Sequence, residues 1–297
     1  MKVLIIALEG QIRDALEAQF AMRKRAFDSV GLEWLQSLSA LDQKGLSRAI
    51  PANIGVVVNA LSLESLQQQA DDGVLDSLAL LAQACDQTAT PLISISTCDV
   101  FDGAEAGRHS EVDDVVPVSR LAALVARMEE LIRGSCSRYI ILRTGPVFSS
   151  QGDNLLTELL RSFEISETLA LSTTGKSCPM HAKDLARVIS GLIDQLSCGC
   201  ESWGTYHYSS SDSVSHYQFA ETVLATMSQY VDTSGKSLHL DSVDTLDEEW
   251  CRPQLNCEKI LNTFGIKQLP WRSFIVPAVK KVFVKEPVVR SDSDKDL

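Results

Sequence analysis

The chain is short of positive charge. Its 297 residues carry 27 lysines and arginines against 39 aspartates and glutamates, a formal net charge of -12, with an isoelectric point near 4.9. That balance argues against a nucleic-acid binder, because phosphate neutralisation needs a cationic face. The sequence also lacks any apolar run long enough to span a bilayer, and the opening stretch Met1 to Ala7 has neither the length nor the cleavage pattern of a secretory signal. A cytoplasmic protein with no membrane contact is the expectation. The eight cysteines, at 85, 98, 136, 178, 198, 200, 251 and 257, never fall in CxxC spacing. Zinc ribbons and disulfide scaffolds are therefore not indicated, and reduced thiols fit a cytosolic protein. His181, His207 and His216 form neither an HExxH nor a His-x-His pair, so no metal site is assigned.

Hydrophobic rhythm is what the chain does have. Apolar runs at Ile54 to Asn59, Leu92 to Ser96 and Tyr139 to Arg143 alternate with helical periodicity around Leu75 to Cys85 and Leu121 to Ile132. This alternation predicts an α/β fold with a Rossmann-type, doubly wound parallel sheet. The N-terminal run Lys2 to Ile6 turns into an amphipathic helix through Ala15, Leu16 and Phe20, the first strand, turn and helix of a dinucleotide fold. At this length the chain can bury a large core.

Motifs sharpen that reading. Ser96-Thr97-Cys98-Asp99-Val100-Phe101-Asp102-Gly103 resembles the Ser-Thr-Asp-Tyr-Val-Phe-Asp-Gly strand end of the dTDP-4-dehydrorhamnose reductase branch of the extended short-chain dehydrogenase/reductase family. Pro117 and Glu129 resemble the ends of its Pro-x-x-x-Tyr-Gly-x-x-Lys-x-x-Gly-Glu helix. Asn59-Ala60-Leu61 is similar to its Asn-Ala-Ala. Leu142-Arg143-Thr144-Gly145-Pro146-Val147-Phe148 is similar to Leu-Arg-Thr-Ser-Trp-Val-Phe, followed by a helix over Asn154 to Phe163. Further likenesses are Gly204-Thr205-Tyr206-His207, a helix start at Ser215 that reads as an N-cap, a shortened Arg252-Pro253 motif, and Pro270-Trp271. The resemblance covers about residues 1 to 283. It implies a dinucleotide-binding domain over 1–150, a small C-terminal α/β substrate lobe over 151–285 interwoven with the sheet edge, and a polar flexible tail over 286–297.

The functional positions depart from the family. There, a Ser or Thr hydroxyl holds the substrate carbonyl, the Tyr is the acid or base, and the Lys lowers the Tyr pKa and holds the nicotinamide ribose. Thr97 keeps the hydroxyl, Leu121 and Val125 stand at the Tyr and Lys positions, and Asp99 stands where the family has Tyr. Leucine has no ionisable proton, and acid–base catalysis is worth roughly 10²–10⁴-fold. Leu121, Leu124, Val125, Met128, Leu131 and Ile132 read equally as an ordinary core-facing stripe. Of the family's Gly-x-x-Gly-x-x-Gly turn, Gly10 remains between Ala7 and Arg13, with Gln11 and Ile12 in the same turn and Glu9 where a carboxylate would oppose a pyrophosphate. Arg23, Lys24 and Arg25 either read a 2'-phosphate or simply complement a helix C-terminus.

Remaining candidates are weaker. Asp99, Asp102, Glu105, Glu111, Asp113 and Asp114 make an acidic rim that would repel a diphosphate if it faced inward. Cys98 is either an unconventional proton donor or a small buried hydrophobe. Asp184 is expected to order a loop or cap a helix. The resemblance implies NADPH or NADH as cofactor, a sugar nucleotide as ligand, Arg252 near that ligand, and homodimerisation. The departures leave NADPH or NADH binding open and predict a non-catalytic regulatory or scaffolding protein that binds a protein partner. The regulatory beta subunit of methionine adenosyltransferase is a precedent in the same branch. An active sugar-nucleotide reductase and a non-catalytic nucleotide sensor are the alternatives.

Overall fold

A computed structural model describes residues 1–61, 72–102, 107–165, 168–231, 239–243, 247 and 250–283. The central sheet has six parallel strands, β1 (Lys2–Ile6), β2 (Phe27–Val30), β3 (Ile54–Asn59), β4 (Leu92–Thr97), β6 (Tyr139–Thr144) and β10 (Gly204–Tyr208). They run in the order β10-β6-β4-β3-β1-β2. Three small two-stranded sheets pair β5 (Arg108–His109) with β12 (Gln254–Leu255), β7 (Val147–Phe148) with β9 (Met180–His181), and β8 (Thr168–Ser172) with β11 (His239–Val243). The chain steps from β1 outward to β2, then returns to β3 on the other side of β1. This reversal is the switch point at which open α/β sheets hold ligands.

Strands covered on both faces become continuous apolar runs. Val3, Ile5, Ile6, Val56, Val57, Val58, Ile140, Ile141 and Leu142 are all fully buried. Because β1 to β2 and β3 to β4 step in opposite directions, right-handed crossovers put their helices on opposite faces. Accordingly α1 (Gln11–Met22) packs on α7 (Ala182–Ser197), whereas α4 (Asp72–Gln87) packs on α5 (Arg120–Ser135) and on the short α2 (Leu32–Ser37) and α3 (Gln43–Ala49). A second cluster joins α6 (Leu155–Ile165), α8 (His216–Met227) and α10 (Arg272–Phe283) through Phe163, Phe219 and Trp271, while α9 (Glu258–Phe264) packs on β10.

Polar groups fix the junctions. Ser215 caps α8 with a full capping box to Gln218. The cap of α7 is His181, whose Nδ1 accepts from Lys183 N at 3.0 Å; Asp184 instead takes Arg187 at 2.7 Å and the Tyr208 hydroxyl at 2.8 Å. Beneath the sheet end, buried Glu129 of α5 receives Arg143 Nε at 2.9 Å and Nη2 at 2.7 Å, Ser96 Oγ at 2.5 Å, and Arg133. This two-pronged pairing lets two opposite charges sit in a core without an unpaired ion. The polar tail over 286–297 lies outside the described residues.

Candidate functional site

A cleft of about 190 Å³ opens at the C-terminal ends of the sheet strands. Its sheet wall is Ile12, Leu61, Ile95, Ser96, Thr97, Asp99, Val125 and Thr144; its lobe wall includes Asn154, Glu158, Ser177, Trp250 and Arg252. Of the positions singled out in the sequence, Thr97, Val125, Ile12, Asp99 and Arg252 therefore come together.

Thr97 ends β4, and the turn that follows is closed by its own side chain: Oγ1 accepts from Asp99 N at 3.1 Å and donates to Asp99 Oδ2 at 2.9 Å. A threonine hydroxyl has a single proton, so in this arrangement that proton is given to Asp99. The other carboxylate oxygen lies 3.2 Å from Arg252 Nε, across the cleft. Val125, expected at the lysine position, is buried and lines the cleft, while Leu121, expected at the tyrosine position, is half-buried against the main core. No register shift supplies the missing groups: the first tyrosine of the chain is Tyr139, and no lysine occurs between Lys44 and Lys176. Among the described lining residues the ionisable side chains are Asp99, Asp153, Glu158 and Arg252. Cys98 is fully buried outside that lining, and burial pushes its thiol well up. It is a packed hydrophobe, not a donor to the cleft.

The residues present fit one half of a dinucleotide and not the other. Gly10 adopts φ 148°, a conformation L side chains rarely take, and a Cβ there would meet nothing within 4 Å. No side chain caps α1, so its first-turn N–H groups remain suited to a pyrophosphate. Ala7 is buried at the strand end and accommodates its methyl group there. Glu9 is exposed, and Arg13 turns along the helix surface to Glu17 at 2.9 Å. Gln11 Nε2 donates to Val147 O at 3.2 Å, while its buried Oε1 has no hydrogen-bond partner among the described residues. At the other half, Val125 and Leu121 give nothing polar to a nicotinamide ribose.

Several expected residues serve the frame instead. Asn59 is fully buried, donating to Ser94 Oγ at 2.9 Å and accepting from Leu61 N at 3.4 Å, and Ala60 N bonds Ile6 O at 2.8 Å. Neither lines the cleft; Leu61 does. Arg23 and Arg25 both pair with Asp194 of α7. Glu111 accepts from His207 N at 3.0 Å and Asp113 from Ser110 N at 2.8 Å, so of the acidic rim only Asp99 lines the cleft among the described residues. Glu105 lies outside the described residues. Gly145 has a packing cause: a Cβ would sit 2.4 Å from Cys178 O.

Sequence reasoning missed Trp250, Ser177, Asn154 and Glu158 as lining groups. Trp250 stacks on His216 with ring centres 4.5 Å apart and donates Nε1 to Val214 O at 2.9 Å. Its place two residues before Arg252 was the one available signal. Among the described residues no group of three or more acidic, His or Cys side chains could hold a metal, and no helix is long and apolar enough to cross a membrane.

Comparison with known proteins agrees with this fold. A dTDP-4-dehydrorhamnose reductase of Sinorhizobium fredii is 26% identical over 285 residues, covering 91% of this chain and 94% of its own length. The crystal structure of a Clostridium acetobutylicum dTDP-4-dehydrorhamnose reductase superposes with TM-score 0.74 at 21% identity, covering 94% of this chain and 99% of that one. A Bacillus anthracis dTDP-4-dehydrorhamnose reductase in complex with NADP gives TM-score 0.75 at 18% identity, covering 93% and 98%. These structures share the fold. The model of the RmlD substrate binding domain matches residues 1–284, and with a match of that extent the chain belongs to that family, the dTDP-4-dehydrorhamnose reductase-like branch of the extended short-chain dehydrogenases/reductases.

Proposed function

We propose that this chain is a non-reducing member of its family, acting by binding rather than by hydride transfer, as a regulatory or scaffolding protein for a protein partner. One observation carries the reading. The helix facing Thr97 offers Val125 to the cleft and Leu121 to the core, and the described cleft lining contains no tyrosine, lysine, histidine or cysteine. Reduction of a ketone needs a proton delivered to the oxygen as hydride reaches the carbon, and neither hydrocarbon side chain delivers one. The Thr97 hydroxyl donates to Asp99 in this arrangement. The first-turn N–H groups of α1 would hold a dinucleotide's pyrophosphate. NADPH or NADH held there would be a bound ligand, with neither tyrosine nor lysine in the described cleft lining to assist hydride transfer.

The alternative reading, an active sugar-nucleotide reductase using Asp99 as acid, is favoured by the retained Thr97 hydroxyl and the reductase names of the relatives. One assay separates the two. The purified protein is mixed with NADPH or NADH and dTDP-4-dehydrorhamnose, and loss of dihydronicotinamide absorbance is followed. No turnover above background is expected, with partner capture following as the positive test. Turnover abolished by Thr97→Val would overturn the non-reducing reading.

A further inference from the structure

Arg252 is the only cationic side chain on the described cleft wall. It stands on the lobe side, its backbone N bonded to Lys176 O at 3.3 Å and its Nη1 to Cys251 O at 3.1 Å. From the sheet side Asp99 meets its Nε at 3.2 Å, and the same carboxylate is steadied by the Thr97 hydroxyl at 2.9 Å. The pair therefore bridges the two walls of the cleft, with side chains 33% and 22% exposed. A guanidinium recognises carboxylate and phosphate by the same charge-assisted hydrogen bonds, and Asp99 at Nε already offsets part of the charge that a phosphate would meet. The backbone of Asp99 is fixed as well: its turn is capped by Thr97 and follows directly on a sheet strand. The carboxylate is thus held beside Arg252 by the fold itself.

We propose that Asp99 is a specificity-determining residue, an internal anion seated on Arg252 that weakens the binding of a ligand phosphate at that guanidinium. The proposal rests on reading the cleft as a ligand site. Its consequence is that the wild-type cleft discriminates against nucleoside diphosphates and that removing one charge relaxes the discrimination. Neutral sugars do not compete for the fork and escape this penalty.

Thymidine diphosphate is the probe, titrated calorimetrically into the wild type, Asp99→Asn, Arg252→Gln and the double variant, with Asp99→Glu as the charge-retaining control. Asparagine keeps the size of the side chain and an oxygen for the Thr97 hydroxyl. Asp99→Asn is expected to bind up to about fivefold more tightly than wild type, the change produced by removing one partly exposed like charge at contact distance. Asp99→Glu should stay near wild type, and the gain should vanish in the Arg252→Gln background. Equal affinity in Asp99→Asn and wild type, a gain that survives loss of Arg252, or no binding by any folded variant would each overturn the proposal. Hydride turnover by the wild type would instead overturn the non-reducing reading and leave this charge cycle standing.

Discussion

Two histidines are built into the fold as neutral rings, and their protonation couples stability to pH above the range where carboxylates act. His181 caps α7 through Nδ1 and lies between Phe148, with ring centres 5.2 Å apart edge to face, and Phe274, stacked at 5.2 Å. Burial, followed by Lys183 and Lys281, lowers its pKa to about 4. His207 has Nδ1 3.2 Å from His109 O, Nε2 3.4 Å from Arg143 Nη1, and its ring against Phe101. Burial, then the Arg143 charge, lowers its pKa to about 3. Both folded values lie below the unfolded value of about 6.5. The native state therefore binds fewer protons than the unfolded chain, and the stability present above about pH 6.5 is lost as pH falls towards the folded values. Each proton costs about 1.4 kcal/mol per pH unit. Between about pH 6.5 and pH 5 both rings titrate only in the unfolded chain, giving about 2 kcal/mol each and about 4 kcal/mol together. Urea unfolding at about pH 7.5 and pH 5 measures the loss. His181→Asn, which retains a capping acceptor, and His207→Gln should each remove about half of the pH slope whatever they do to the baseline. A wild-type stability changing by less than about 1 kcal/mol over that window, or variants with an undiminished slope, would refute the reasoning.

Two further outcomes are expected. Glu129→Ala strands Arg143, whose side chain is 2% exposed, and should cost about 3–5 kcal/mol in urea unfolding; a loss under about 1 kcal/mol would mean that the guanidinium finds other partners. Gly10→Ala meets no neighbouring atom but must hold φ 148°, so it should cost about 1–2 kcal/mol through the backbone alone, and unchanged stability in the same measurement would show that the turn relaxes.

The fold was legible because burial on both faces leaves a direct trace in composition: the runs in β1, β3 and β6 are apolar throughout. The hydrocarbon side chains at positions 121 and 125 are read directly from the sequence, and no arrangement gives leucine or valine a proton. What the sequence determined is thus the sheet and the absence of a tyrosine–lysine pair from the helix after Thr97. Tertiary structure alone decided the partners of charged groups, because ion pairs form between residues far apart in the chain. Arg23 and Arg25 pair with Asp194, Glu111 reaches β10, and Asp99 meets Arg252 across the cleft. Asn59 looked available for a ligand until the packed ends of β3 and β4 consumed its amide. Trp250 is held in the wall by His216, Phe219 and Val214 O, contacts between residues far apart in the chain that local pattern does not encode.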